Sequence, residues 1–170
     1  GSVRNDAAGQ PIPTFGQVET EGFARVFTGY ELDSFGLTTT PEVGGTRQIP
    51  DPESVRRPMT ADSTRWAFPR ASGFHETGAK TFLGLTIPAG TDATESLRLA
   101  LDHLFNHPNV GPFFAKQMIQ RLVTSNPSPA YVGRVAAIFA NNGSGRRGDL
   151  AAVFRAILTD TEALSPAGLT

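Results

Sequence analysis

The chain has 170 residues, long enough for one domain with its own core and short for two. Hydrophobic residues make up 39% and charged residues 18%, so the chain can bury a core, and a net charge of −1 provides no global field for nucleic acid or an acidic membrane surface. Cysteine is absent, which excludes disulfides, thiol nucleophiles and thiolate metal sites, and no apolar run is long enough to span a bilayer.

In chain order, a polar, turn-rich lead-in from Gly1 to Pro13 comes first. Thr14-Phe15-Gly16-Gln17 then has the form of a capping box, with Thr14 accepting from the helix N-terminus and Gln17 reaching back. Val18, Phe23, Val26 and Phe27 supply an apolar face that runs out near Gly29. From Tyr30 to Gly90 the helical period is lost, and Gly44-Gly45 and Ile49-Pro50-Asp51-Pro52 punctuate the chain. Short extended pieces are expected around Arg65–Phe68 and Thr81–Ile87, forming a small hairpin. A stretch this long without regular structure is unusual in a compact domain unless it is functional or covers something.

The last third is strongly periodic. Asp92 to Asn106 places Leu97, Ala100, Leu101, Leu104 and Phe105 on one helical stripe. Pro108 suits the first turn of a second helix carrying Val110, Phe113, Phe114, Met118 and Leu122. Ser128-Pro129 is a cap followed by a first-turn proline, opening a third helix with Val132, Val135, Ala136 and Phe139 inward. Asn141-Asn142-Gly143 ends it. Asp149 caps a fourth helix with Leu150, Val153, Phe154, Ile157 and Leu158 on one side. Short loops between helices favour antiparallel neighbours. The expected fold is mainly α, a C-terminal antiparallel helical bundle with a long Pro/Gly-rich loop segment and one small β-hairpin. The expected organisation is a single domain over residues 1–170, divided into 1–29, 30–90 and 91–170.

Several motifs carry candidate chemistry. Gly73 to Thr81 reads GFHETGAKT, close to a phosphate loop, but Ala79 stands where the lysine belongs and Lys80 comes one place late. The TFLGLTIPAG that follows reads as strand and turn, so no nucleotide is expected. His75, Glu76 and Lys80 remain candidate catalytic groups, against a plain reading as local hydrogen-bond and charge partners in a turn. His103 and His107 are four apart, the spacing that puts two imidazoles on one helical face, with Asp102 nearby. With His75 they form a candidate divalent-metal site. Against that, Pro108 marks a helix boundary, where His107 would cap the next helix instead.

Other constellations are weaker. The carboxylates Glu19, Glu21, Glu31, Asp33, Glu42, Asp51 and Glu53 do not form a pair whose separation sequence can fix. Gly143-Ser144-Gly145 lacks the spacing of a nucleophile elbow, and Arg147-Gly148-Asp149 spells an adhesive tripeptide whose aspartate is needed as a cap. Trp66, Phe68 and Phe74 with Arg65 and Arg70 suit either an aromatic sugar- or peptide-binding groove or a set of anchors pinning the loop. Residues 107–158 hold Lys116, Arg121, Arg134, Arg146, Arg147 and Arg155 against Asp149 alone, a solvated helical surface or one that docks on something more acidic.

HETGAKTFLG (75–84), NHPNVGPFFAKQMIQRLVTSNPSPAYVGRVAAIF (106–139) and GDLAAVFRAIL (148–158) together resemble the bacterial domain-of-unknown-function family 1800, DUF1800. PIPTFGQVETEGFARVFTGY (11–30) resembles the helix that precedes them in that family. The resemblance implies the C-terminal portion of a longer, largely helical protein, often exported by Gram-negative bacteria to the periplasm or beyond. It implies two partners: the N-terminal helical region of the longer protein, including an acidic helix, and a sulfatase-like protein often encoded beside it. It implies no reaction. The function expected is a structural or interaction module of an exported bacterial protein. The alternative is a metal-dependent enzyme on an envelope or polymeric substrate, using His75, Glu76, Lys80, His103 and His107.

Overall fold

A computed structural model describes residues 7–10, 15–34, 38–42, 45–49, 52–66 and 74–165. The order of elements is α1 (Gln17–Val26), β1 (Thr38–Glu42), β2 (Gly45–Ile49), β3 (Lys80–Phe82), β4 (Leu85–Ile87), α2 (Ala93–Asn106), α3 (Val110–Leu122), α4 (Pro129–Ala140) and α5 (Leu150–Thr159). Single 3-10 turns lie at Pro52–Arg56 and Ser63–Arg65. The protein is mainly α, with two antiparallel hairpins, β1–β2 and β3–β4, among the described residues. The chain divides into two compact units, Pro11–His103 and Gly1–Gln10 with Leu104–Thr170, and α2 crosses the boundary.

In the unit Pro11–His103, α1 starts at Gln17, two residues inside the expected box. Glu19 Oε2 accepts from the Gly16 amide at 2.9 Å, so the reaching-back half of the box falls to Glu19 rather than Gln17. Thr14 lies outside the described residues. The helix packs against β3 so closely that a Cβ on Gly22 would overlap the carbonyl oxygen of Thr81. Val26, Phe82, Ile87 and Ala100 are buried together, with Phe23 edge-on to Phe82 at a centroid distance of 5.3 Å.

The extended piece expected at Thr81–Ile87 is present, but it is itself a hairpin, β3–β4, rather than one strand of a hairpin. Its turn is Leu83 and Gly84, with φ of 46° and 80°, the two successive left-handed residues that match the twist of a tight hairpin. Arg65, expected in an extended piece, ends a 3-10 turn instead, because Asp62 accepts from the Thr64 amide and closes the chain locally. Phe68 lies outside the described residues.

In the unit containing Leu104–Thr170, α3, α4 and α5 pack around Ala115, Ile119, Tyr131, Val135, Phe139, Val153 and Ile157. Ser128 Oγ accepts from the Tyr131 amide at 3.1 Å, with Pro129 in the first turn, and Asp149 accepts from Ala152 at 3.1 Å. Both caps stand where the sequence places them. Pro108 does not: α3 starts at Val110, behind Asn109.

Helix rotation is corrected more often than helix existence. Phe113 is 63% exposed and Leu101 51%, and Leu150 and Leu158 also face outward. The buried lines run instead through Gly111, Ala115 and Ile119 on α3 and through Ala93, Ser96 and Ala100 on α2. Small residues let the backbones approach. A Cβ on Gly111 would stand 3.2 Å from the Phe139 ring. A hydrophobicity count favours large side chains and misses this.

Gly22→Ala tests the α1–β3 contact. Alanine normally favours a helix interior by about 1 kcal/mol over glycine. Here the overlap with the Thr81 backbone reverses the sign, and the expected result is a loss of about 2 kcal/mol in urea denaturation.

Candidate functional site

The candidate residues of GFHETGAKT gather where α1 ends. Thr28 Oγ1 donates to the Arg25 carbonyl at 2.7 Å and accepts from the Glu76 amide at 2.8 Å. His75 Nδ1 lies 2.8 Å from the Thr28 carbonyl oxygen, which can only accept, so that nitrogen carries the proton. His75 Nε2 is then the acceptor for the Ser96 hydroxyl on α2, at 3.1 Å. One imidazole thus joins the segment just after α1 to the first turn of α2. Gly29 permits the approach: its φ is +80°, and a Cβ there would come within 2.8 Å of the His75 amide nitrogen.

Glu76 and Lys80 complete the loop. Glu76 Oε1 accepts from the Gly78 amide at 2.9 Å and pairs with Arg25 at 3.2 Å. The Gly78 amide, and then Arg25, hold its carboxyl below the usual range. Lys80 has no exposed surface although it lies under thin cover, and its Nζ reaches the Gly78 carbonyl at 3.4 Å. Burial, and then the nearby Arg25, push its amine down from the ordinary lysine value. Lys80 opens strand β3, not a helix, so the stretch lacks the helix N-terminus that a phosphate loop uses.

The other two histidines are placed separately. His103 Nε2 donates to the Leu83 carbonyl at 2.9 Å, and its ring stands edge-on to Phe82 at 6.1 Å. This bond holds the left-handed turn against α2. His107 lies one residue past the end of α2, where its Nδ1 accepts from the Asn109 amide at 3.2 Å. Asp102 is bonded by Arg98 at 2.7 Å. Among the described residues no group of three or more His, Asp or Glu side chains is placed to hold a metal ion.

Asp33 was not distinguishable in the sequence from its neighbours. It is buried, and its Oδ2 accepts from Arg65 Nε and Nη2 at 3.0 and 2.6 Å, with Arg57 4.0 Å from the other oxygen. Trp66 is buried as well. Its Nε1 donates to the Thr60 carbonyl at 2.9 Å, and Phe74 stands edge-on to it at 6.0 Å. Of the aromatic set, Trp66 anchors its segment; Phe68 and Arg70 lie outside the described residues. The partners of Asp33 and Trp66 come from irregular chain, so no periodicity announces them. Asp149 accepts from Asn142 at 2.7 Å besides capping α5, which holds its carboxylate inside the turn.

A mainly α fold with a His-stapled hairpin and a C-terminal helical unit thus defines the class of protein. The chain belongs to the family described as a protein of unknown function (DUF1800), whose model matches residues 7–169. No curated protein and no solved structure matches the chain.

Lys80→Met removes a buried charge while keeping the stem. The expected result is a melting temperature higher by roughly 2–4 °C near neutral pH. A depressed folded-state pKa means that the unfolded chain binds the proton more tightly. Stability of the wild type therefore rises with pH between the lowered folded value and the ordinary lysine range, and Lys80→Met flattens that rise. Paired pH–denaturation curves check both.

Proposed function

We propose that the chain is a structural or interaction module of an exported bacterial protein. One observation carries the reading: both nitrogens of His75, the most chemically suggestive side chain, are engaged by groups of the chain itself. The side chains around it are engaged in the same way. Glu76 closes its own loop and pairs with Arg25, and His103 holds a hairpin carbonyl. A catalytic imidazole needs one nitrogen free for substrate, water or metal. Here each bond made by His75 stabilises a junction between chain segments, and none leaves a nitrogen directed at a ligand. Membership of DUF1800 supports a bacterial origin and, through the habits of that family, export to the periplasm or the cell exterior. The same resemblance supports two partners: the helical region preceding this segment in longer members and a sulfatase-like protein.

The competing reading is a metal-dependent enzyme acting on an envelope or polymeric substrate through His75, Glu76, Lys80, His103 and His107. Elemental analysis of the purified protein, with melting curves in zinc, manganese, copper and calcium, separates the two. The module reading predicts substoichiometric metal and a melting temperature indifferent to the added ions. It also predicts that His75→Ala lowers the melting temperature by roughly 3–8 °C through lost hydrogen bonds. Stoichiometric metal that disappears in His75→Ala or His103→Ala would establish the enzyme reading instead.

A further inference from the structure

The helical unit carries an apolar surface that its own core does not use. On α3, Phe114, Met118 and Leu122 recur every fourth residue, and on α5 Leu150, Phe154 and Leu158 do the same. The two lines meet where the Phe114 and Phe154 rings stand 6.3 Å apart. Phe114, Met118 and Phe154 are half-buried against the core, whereas Leu122, Leu150 and Leu158 are 52%, 46% and 54% exposed. The result is a shallow trough between two helices, closed at its floor and apolar at its rims.

The charges beside it are of one sign. Arg121 follows Met118 by three residues on α3, and Arg155 precedes Leu158 by three on α5, so each stands next to its helix's apolar line. Both are exposed, and neither has an ion-pair or hydrogen-bond partner for its guanidinium among the described residues. Arg134 and Arg147 differ from them. Arg134 is bonded twice to Asp160 at 2.8 and 2.7 Å, and Arg147 lies over the Phe105 and Phe139 rings while donating to the Phe105 and His107 carbonyls. The only acid in residues 107–158 is Asp149, which is occupied in capping α5.

We infer that the α3–α5 trough is a docking site for an acidic amphipathic helix. Its apolar side would lie along the two leucine- and phenylalanine-bearing lines, and its Glu or Asp residues would flank that side to meet Arg121 and Arg155. A helix suits the shape, because the ridges of a third helix fit the groove between two others. The sign of the charge follows from the two unpaired guanidiniums. A second copy meeting this chain face to face would set arginine banks against arginine banks, which opposes that occupant. The inference rests on the interaction-module reading and gives the class of partner.

The test is a selection on the full 170-residue chain from a displayed library of helical peptides. The library has a fixed leucine stripe and flanking positions varied among Glu, Gln and Lys. The expected result is enrichment of Glu flanks, and affinity for a selected peptide should fall about tenfold or more in Arg121→Glu/Arg155→Glu and in Leu158→Asp. Circular dichroism of both variants should match the parent, since the altered side chains are exposed. Enrichment of neutral or basic flanks, no enrichment, or unchanged affinity in the arginine variant would overturn the inference. So would self-association in light scattering that Leu158→Asp abolishes, which would give the face to a second copy. Failure of the module reading would show separately, as bound metal in elemental analysis.

Discussion

The structure of the Pro11–His103 unit depends on the two-sided hydrogen bonding of His75. The loop that carries it has little apolar area of its own, so it cannot be held by burial alone. One nitrogen donates to the carbonyl at the end of α1 and the other accepts from Ser96 on α2. A single planar ring thereby fixes the separation of segments that are 47 and 21 residues away from it in the chain. Removing it would take a hydrogen-bond partner from the Thr28 carbonyl and from the Ser96 hydroxyl in a half-buried place. The glycines reinforce this. Gly22 and Gly29 sit where α1 touches β3 and where the His75 backbone passes, and neither place has room for a side chain.

Different physics governs the C-terminal unit. Two of its helices, α4 and α5, are capped by the side chains of Ser128 and Asp149, devices local in sequence, and Gly111 and Ala115 let α3 pack closely. Two of its acidic groups sit just past the end of α5, where Ser128 holds Glu162 and Arg134 holds Asp160 below their usual carboxylate ranges. Depressed carboxyl values contribute stability that is present above the unfolded range and is lost as pH falls through the folded values. Both effects make stability rise with pH, in different windows: the carboxylate clamps are lost in acid, while the buried Lys80 amine is relieved on the alkaline side.

Legibility in the sequence follows the same division. Ser128-Pro129 and Asp149 announce helix starts because a cap is a short-range device, and both were placed correctly. The extended character of Thr81–Ile87 was legible from its β-branched and aromatic residues, but its folding back on itself as β3–β4 was not. Rotation of α3 was not, because Gly111 and Ala115 occupy the interface through closeness rather than hydrophobicity. The hairpin Thr38–Glu42 with Gly45–Ile49 was hidden by Pro41 and the polar threonines. Within the candidate site, His75, Glu76 and Lys80 stood out by residue type alone. What they do was invisible, since Thr28, Ser96 and Arg25 are unremarkable residues in distant segments. Asp33 and Arg65 illustrate the same limit: their ion pair joins residues 32 apart in the chain.

The central claim is that His75 is a structural bridge in a fixed tautomer, and nitrogen NMR of its ring tests this most directly. At about pH 8, where an ordinary imidazole is neutral, two-bond nitrogen–proton correlations distinguish the two ring nitrogens. A structural bridge gives a single Nδ1–H tautomer whose shifts do not move when zinc is added. An Nε2–H tautomer, rapid exchange between the two, or a zinc-dependent shift at either nitrogen would contradict it.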